Sequence, residues 1–307
     1  MRQILVLFIL LCSFSANASS QPAPADTTIG FHQDVAWSPD GKWIVFSADV
    51  GSGYDLWMAP TSGGAMQPLT NDGKSNVWAA WSPNGEQLAF TSGRDGATDI
   101  YVMDAQGREV HRLTQGPGRN QAPSWSPDAS RLAFMSDRTG RWQLFLMRAD
   151  GSEPRQVTVD TTMAHNPVWS PQGTKILFYA GSGTGNDQVF TIEPNGKHLT
   201  RLTKDVEFHQ NNVSKTIKTN NIYPSWAPDG KDILFCSNRG GSNALYTMKA
   251  DGSEVKRLSS NLIFFGRWSP DGKKIAAIFG RYPHTAIGIM QKDSKEPVWI
   301  TPRLNAP

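Results

Sequence analysis

The sequence contains little cysteine, little net charge and few long apolar runs. Among its 307 residues there are two cysteines, and the formal net charge at pH 7 is +3. A scattered excess this small does not predict nucleic-acid binding. The main apolar run, residues 4–11, is shorter than the ~20 residues that a membrane-spanning helix needs. The composition therefore predicts a globular protein without a transmembrane segment.

Residues 1–18 have the pattern of a secretory signal peptide. Arg2 provides a positive charge, residues 4–11 form the apolar part, and Ala16-Asn17-Ala18 is a small-residue cleavage site. We expect cleavage after Ala18 and a periplasmic or secreted protein. The alternative is a lipoprotein anchor at Cys12, which the bulky residue before this cysteine disfavours.

Cleavage would leave a chain with one thiol, Cys236, and a net charge of +2. A single cysteine forms no internal disulfide, so the hydrophobic core must stabilise the exported chain. Cys236 lies in the apolar phrase DILFCS, which predicts a buried residue rather than a nucleophile.

One phrase recurs six times along the chain. It reads AWSPDGKWIVFS at its first occurrence and SWSPDASRLAFMS at its third, and its tryptophans are spaced by 44, 44, 44, 57 and 42 residues. A sustained period of this length indicates a repeat architecture. The motif tryptophans are Trp37, Trp81, Trp125, Trp169, Trp226 and Trp268.

Each repeat has the pattern of four short strands. Apolar residues alternate after the tryptophan, as at Ile44 and Phe46, which is the period of a β-strand. Two further β-rich segments follow. Ser-Pro-Asp-Gly between the first two strands suits a type I turn, and a glycine such as Gly107 separates the last two. Four antiparallel strands repeated around an axis form β-propeller blades.

We therefore predict an all-β fold, a six-bladed β-propeller of four-stranded antiparallel blades over residues 32–307, after an N-terminal segment of residues 19–31. The blades are expected to start near residues 33, 77, 121, 165, 222 and 264. The sixth unit departs from the pattern, as terminal repeats often do. How blades one and six close the ring stays open at this point.

The repeats resemble the WD40-like (PD40) repeats of the TolB family, whose pattern reads roughly P-x-W-S-P-D-G-x-x-I-A-F-x-S-x-R-x-G-x-x-x-I-Y. The third unit, SWSPDASRLAFMSDRTGRWQLFLM, matches it closely, and the resemblance covers residues 33–302. It implies a periplasmic six-bladed propeller that binds proteins without catalysing a reaction. TolB itself carries a separate α/β domain before its propeller, where this sequence has SSQPAPADTTIGF, so we expect a TolB-like propeller without that domain.

The predicted site lies on the face where loops join strand four to the next strand one, and strand two to strand three. These loops vary between units, whereas the turns on the opposite face are short and repetitive, which suits a scaffolding role. His or Asn often stands five residues before the motif tryptophan. The predicted partner-binding residues at this channel mouth are His32, Asn76, Asn120, His165, His209, Gln210 and Asn221. The alternative is that such residues cap strand ends and bind channel water.

The 57-residue spacing indicates an insertion within residues 204–223, before the fifth unit. Long insertions in a regular ring cost little stability and are often functional. This one is expected to bring His209 and Gln210 to the same face. A disordered bulge is an equally good reading of the sequence.

Four arginines stand thirteen residues after a motif tryptophan: Arg94, Arg138, Arg239 and Arg281. A residue repeated in each blade is usually structural, whereas a catalytic residue is usually single. We predict that these arginines form hydrogen bonds within their blades rather than a ligand clamp.

The leading hypothesis is a monomeric, non-enzymatic protein that binds a protein or peptide without a cofactor, as in a cell-envelope or transport complex. The repeats are also similar to propeller oligogalacturonate lyases, which use a His/Gln cluster around a divalent metal. The alternative is therefore a metal-dependent lyase or hydrolase of an anionic sugar, with His32, His165 and His209 as candidate ligands. A structural member of an envelope complex is a third possibility.

Overall fold

The computed structural model describes residues 32–49, 51–159, 162–181, 186–210, 213–259, 263–281, 284–292 and 296–301. Within these ranges the regular secondary structure consists of β-strands. No helix in them has the length and apolar character needed to cross a bilayer. The predicted signal peptide and N-terminal segment lie outside the described residues.

Six four-stranded antiparallel sheets follow one another along the chain, and each is built from consecutive strands in the order one-two-three-four. Blades one to three contain β1 (His32–Trp37), β2 (Trp43–Asp49), β3 (Tyr54–Pro60), β4 (Gln67–Pro68), β5 (Val77–Trp81), β6 (Gln87–Ser92), β7 (Asp99–Asp104), β8 (His111–Arg112), β9 (Asn120–Trp125), β10 (Arg131–Ser136), β11 (Gln143–Arg148) and β12 (Arg155–Gln156).

The second half of the ring contains blades four to six and one extra hairpin, β17–β18, between blades four and five. Its strands are β13 (Met163–Trp169), β14 (Ile176–Gly181), β15 (Gln188–Ile192), β16 (Thr200–Arg201), β17 (Val206–Gln210), β18 (Val213–Ile217), β19 (Asn221–Trp226), β20 (Asp232–Ser237), β21 (Ala244–Lys249), β22 (Lys256–Arg257), β23 (Ile263–Trp268), β24 (Lys274–Arg281), β25 (His284–Gln291) and β26 (Val298–Trp299). The six-bladed propeller predicted from the repeats is confirmed.

The hydrophobic core lies between adjacent blades. Between blades one and two, Val45 and Leu56 pack with Leu88 and Phe90, and all four side chains are buried. Equivalent clusters fill the other interfaces, including the one between blades six and one. Both faces of the second strand are covered in this arrangement, which explains its continuous apolar sequence.

The first strand of each blade surrounds the central channel. It contacts the first strands of both neighbouring blades, as β1 does with β5 and β23. The two-residue fourth strands form the outer edge of the sheets. We call the side where first strands begin the loop face, and the side with the Ser-Pro turns the turn face.

A hydrogen-bonded cluster of four side chains joins neighbouring blades at the loop face. In blade two, Thr114 Oγ1 donates to Asp99 Oδ1 over 2.6 Å. Asn120 Nδ2, from blade three, donates to the same oxygen over 2.8 Å, and Arg138 Nη2 donates to Asn120 Oδ1 over 2.8 Å. We call this arrangement the interblade cluster, because the amide of Asn120 links two blades.

The interblade cluster recurs at two other joints. The same donor and acceptor pattern connects Asp55, Thr70, Asn76 and Arg94, and again Gln188, Thr203, Asn221 and Arg239. Each arginine bonds to an asparagine of its own blade. The predicted structural role is thus confirmed for three arginines, and the side chain of Arg281 lies outside the described residues.

The ring closes at the corresponding position between blades six and one. His32 occupies the place of Asn120, whereas Ala286 occupies the place of Asp99 and offers no side-chain acceptor, so His32 bonds to Thr285, one residue earlier. The backbone N–H of His32 donates to Thr285 Oγ1 over 2.8 Å, and His32 Nδ1 lies 2.9 Å from the same oxygen. In the part of the chain that the structure describes, each blade is complete in itself, so the ring closes by packing and these bonds.

The Ser-Pro turns are stabilised by their own side chains. In the first, Ser38 Oγ donates to Asp40 Oδ1 over 2.6 Å and accepts the N–H of Trp43 over 2.9 Å. The fourth residue, Gly41, has a φ of 71°, in the left-handed region that favours glycine. Blade three has Ala129 at this position with a φ of 57°.

Removal of the bridging amide should weaken a joint between two blades. We expect Asn120→Ala to lower the free energy of unfolding by about 2–3 kcal/mol, because Asp99 and Arg138 each lose a buried hydrogen-bond partner. Urea denaturation measures this change. The matched control is the exposed Asn71, whose replacement by Ala should cost less than about 0.5 kcal/mol. Equal losses in the two variants would contradict the role of the cluster.

Replacement of Ala129 by Gly should stabilise the protein. We expect a gain of about 0.5–1 kcal/mol, because glycine adopts the left-handed backbone of this turn without strain. Thermal unfolding provides the measurement. Ala97, which is exposed and has no such backbone, serves as the control, and Ala97→Gly should leave stability unchanged or lower it. A loss of stability in Ala129→Gly would show that the turn is unstrained.

Candidate functional site

The asparagines predicted to bind a partner lie inside the joints between blades. Asn76, Asn120 and Asn221 are each 0% exposed, and both ends of each amide are bonded within the interblade clusters. Their donors and acceptors are thus used within the fold, as the alternative interpretation of these positions expects. A ligand would have to replace existing hydrogen bonds to reach them, so their role as binding residues stays a prediction.

His32 is also buried, at 1% exposure, between blades one and six. Its ring centroid lies 5.5 Å from that of Phe46, and Nε2 has no hydrogen-bond partner. Burial lowers the pKa of His32 from 6.5 to about 4. The imidazole is therefore neutral at physiological pH and holds the ring joint.

His165 differs from the other predicted residues because it belongs to a half-buried group of aromatic rings at the loop face. Its ring stacks on Tyr179 with a centroid distance of 5.3 Å, and the ring centroid of Trp142 lies 6.4 Å from that of His165. We call Trp142, His165 and Tyr179 the aromatic strip. The guanidinium of Arg119 lies 4.9 Å from the centroid of a Trp142 ring.

The local sequence explains why these rings meet. His165 and Tyr179 are directly opposite on the paired strands β13 and β14. Trp142 comes just before β11, in the loop that joins the second and third strands of blade three. Starts of first strands, ends of second strands and starts of third strands share one face of an antiparallel blade. The strip therefore runs across the loop face from blade three to blade four.

Three further aromatic residues cross the channel next to the strip. Tyr179 meets Tyr223 edge-on at 5.5 Å, and Tyr223 lies 5.8 Å from Trp78 and 5.2 Å from Phe265. Because Trp78 is on blade two and Tyr223 on blade five, their contact spans the ring. We call Trp78, Tyr223 and Phe265 the aromatic plug.

The sequence interpretation missed the plug, although a signal for it exists. Its members stand three residues before the motif tryptophan, where each first strand has a β-bulge. Trp78 and Tyr223 have φ values of 58° and 52°. This position varies between units that are otherwise alike, and such variation marks the residues that enter the channel.

Below the plug, a cavity of about 270 Å³ lies at the channel end on the turn face. We call it the turn-face chamber. Alanine, valine and proline side chains from several first strands form most of its wall, and its charged residues are Asp34 and Arg267. Burial raises the pKa of Asp34 to about 6 and lowers that of Arg267 to about 10. The repetitive face was expected to be scaffolding, and the structure places a cavity there.

The insertion forms the antiparallel hairpin β17–β18, in which Val206 pairs with Ile217. Neither strand packs on another strand of the described chain. Its base is fixed because Asp205 Oδ1 accepts the N–H of Thr219 and Gln188 Nε2, both over 3.1 Å. The side chains of His209 and Gln210 lie outside the described residues, so their predicted position is untested.

The three-histidine metal site does not assemble in the described part of the molecule. His32 and His165 are on blades one and four, on opposite sides of the ring, and each packs in its own surroundings. Among the described side chains no group of three His, Cys, Asp or Glu residues could hold a metal ion. The residues that are described thus do not fit a metal centre.

Cys236 is buried at 1% exposure, as predicted, and its Sγ lies 3.1 Å from the carbonyl oxygen of Ile263. Burial raises the pKa of the thiol to about 12. A thiol that stays protonated at neutral pH is a poor nucleophile.

The fold and its closed channel define a six-bladed β-propeller. Residues 76–210 and 180–304 match the family model of the TolB beta propeller domain, PD40, so the chain belongs to this family. The resemblance seen in the repeats is confirmed.

Solved structures show the same architecture. A TolB-type protein from Agrobacterium tumefaciens is 21% identical, with a TM-score of 0.65 over 79% of this chain and 87% of its own. TolB from Acinetobacter baumannii is also 21% identical, with a TM-score of 0.65 over 90% and 68%. An oligogalacturonate lyase in complex with manganese is 13% identical, with a TM-score of 0.63 over 87% and 77%. At these identities the similarity establishes the fold alone.

The buried histidines should make stability depend on pH. Burial lowers the pKa of His165 from 6.5 to about 4, so the unfolded chain binds more protons between these values. The free energy of unfolding should therefore fall as pH decreases from 6.5 towards 4. His165→Phe keeps a ring and removes this titration, so its loss between pH 7 and 4.5 in urea denaturation should be smaller.

Asp34 titrates in the opposite sense, because its raised pKa keeps it protonated in the fold up to about pH 6. Because Asp34 contributes equally to all variants, the quantity compared is the change in unfolding free energy with pH in each variant under identical conditions. His111→Phe, at an exposed residue of β8, is the matched control with which His165→Phe is compared. An unaltered pH dependence in His165→Phe would contradict the buried neutral imidazole.

Proposed function

We propose that the protein is a non-enzymatic binding module, exported to the periplasm or secreted, that holds a segment of a protein partner at the loop face of its channel. The observation that carries this proposal is the aromatic strip. The signal-peptide pattern and the family membership support it. Under this proposal binding requires no cofactor, and the protein acts as a monomer in a cell-envelope or transport complex.

The chemical composition of the strip suits protein recognition. Trp, Tyr and Arg are the residue types that most often dominate the binding energy of protein interfaces. Here half-buried Trp142 lies beside Arg119, whose side chain is 56% exposed, and half-buried Tyr179 stacks on His165. Aromatic rings offer a large contact area and lose little conformational freedom on binding. The arrangement combines a flat apolar surface with an accessible positive charge.

The strip is also held rigidly. His165 and Tyr179 are fixed by strand pairing, and Tyr179 contacts the plug. Arg119 is positioned by Asp137, whose Oδ2 lies 2.7 Å from its Nε. Because the rings are ordered before a partner arrives, association loses little additional side-chain entropy.

A metal-dependent lyase of anionic sugars is the second candidate, favoured by the shared fold with the oligogalacturonate lyase in complex with manganese. The position of His165 at the loop face is consistent with it, whereas the described donor set is not. Metal analysis of the purified protein after incubation with Mn²⁺ separates the candidates. Stoichiometric manganese that is lost in His165→Ala would favour the lyase.

The binding proposal is tested by partner capture with the tagged full chain from an envelope extract, quantified by mass spectrometry. The partner is the protein that the wild-type chain captures. We expect Trp142→Ala to recover about tenfold less of it, or lower still, because the substitution removes a central aromatic contact. Trp43→Ala is the matched control, since Trp43 is 36% exposed on the turn face. Equal recovery by both variants would overturn the proposal.

The same assay tests the hairpin. Residues 206–218 can be removed while Asp205 and the fully buried Thr219 are kept, so the hydrogen bonds at the base remain. Loss of capture in this deletion alone would assign recognition to the hairpin rather than to the strip. Unchanged capture would show that the hairpin is not needed.

A further inference from the structure

The turn-face chamber lies at the opposite end of the channel from the aromatic strip and is not used by the proposed function. Its volume of about 270 Å³ is slightly below the usual range of drug-sized ligand sites, about 300–1,000 Å³. A space of this size suits a small molecule or one terminal residue of a chain. Its wall is mainly apolar, with a few polar groups, as in most ligand sites.

Arg267 brings a positive charge into this apolar space. Its Nη1 donates to the carbonyl oxygen of Pro224 over 3.2 Å, and its guanidinium lies 4.3 Å from the ring centroid of Phe265. The hydrogen bonds of its side chain within the described chain all involve Nη1. One edge of the guanidinium therefore remains available to an occupant of the chamber. The residues equivalent to Arg267 in the other blades are uncharged.

Asp34 lines the same chamber but is already used by the fold. Its Oδ1 accepts the N–H of Ser47 over 3.0 Å, and its Oδ2 accepts the N–H of Trp78 from the next blade. Its side chain is 3% exposed. No carboxylate of the described residues forms an ion pair with Arg267 within 4.0 Å, and Asp34 acts on it only through a longer-range charge interaction.

Asn166 gives a second, independent indication of a ligand. It lines the chamber from blade four and is only 5% exposed, yet its amide has no hydrogen-bond partner among the described residues. The amide atoms themselves are not fully enclosed, so they face the open space of the chamber, where an occupant can reach them. An occupant of the chamber would supply the missing partner.

We propose that the turn-face chamber binds a carboxylate, which accepts hydrogen bonds from Arg267 and Asn166 while the apolar wall covers the adjoining aliphatic part of the ligand. The planar guanidinium matches the two oxygens of a carboxylate. Two sources share this chemistry, a free small carboxylic acid and the carboxyl end of a peptide.

Isothermal titration calorimetry on the full chain, with three probes, tests the proposal. Butyrate represents the free acid, N-acetyl-Ala-Ala-Leu represents a peptide end, and the corresponding C-terminal amide lacks the charge. We expect at least one of the acids to bind, and the amide to bind more weakly than its acid by about tenfold or more, because charge-assisted hydrogen bonds are lost. The acid that binds identifies the source.

Two variants assign the contacts. Arg267→Met removes the charge at similar length, and Asn166→Asp places a repelling carboxylate in the same space, so each should weaken acid binding by about tenfold or more. Lys292→Met is the control, because this substitution also removes one positive charge. Lys292 lies over the Trp268 ring and does not line the chamber. The affinity of Lys292→Met for the acid should stay within about twofold of the wild-type value.

Thermal unfolding of each variant confirms that it is folded before binding is compared. Absence of binding by both acids to the wild-type protein, equal binding of acid and amide, or unchanged affinity in both Arg267→Met and Asn166→Asp would each overturn the proposal. Because the aromatic strip is at the other face, these outcomes leave the proposed partner binding unaffected.

Discussion

The structure depends on side-chain hydrogen bonds that cross from one blade to the next. Each sheet alone would expose two apolar faces, and these faces are buried only when the neighbouring blade is present. Asn120 and its equivalents set the relative position of adjacent blades, because each amide contacts a carboxylate or glutamine oxygen of one blade and an arginine of the next. Where the ring closes, His32 and Thr285 join the two blades through a different pair of contacts.

This constraint divides the channel-facing residues into two classes. Residues five positions before the motif tryptophan hold the joints and are withdrawn from solvent. Residues three positions before it are turned by the bulge towards the axis, where they are free to differ. Trp78 and Tyr223 fill the channel, whereas Asn166 borders the turn-face chamber. Functional variation is therefore concentrated where the repeat tolerates change.

Much of the fold follows from the sequence, because a repeat must bury the same positions in every unit. Spaced tryptophans, alternating apolar residues and Ser-Pro turns each specify a local structure, and together they predict the blades. The environment of Asn120 could not be predicted in this way. Its main partner, Asp99, belongs to the preceding blade, and no local pattern shows that the amide faces Asp99 rather than water.

Only part of the aromatic strip could be predicted, because its residues come from separate segments of the chain. His165 was selected from its position before the motif, and the structure places it in the aromatic strip. Its neighbours Trp142 and Tyr179 come from a loop and a second strand, so only the assembled ring brings them together. Arg267 and the chamber were missed because they lie on the face whose repetitive turns suggested a purely structural role.

The aromatic plug has a consequence for how the molecule can be used. Because Trp78, Tyr223 and Phe265 are in contact across the axis, they block the central channel between the loop face and the turn face. The two ends of the channel differ in chemistry: the loop face carries the aromatic strip beside Arg119, and the turn face holds the chamber with Asp34 and Arg267. Under the two proposals above, occupants of the two ends would therefore not compete for the same space.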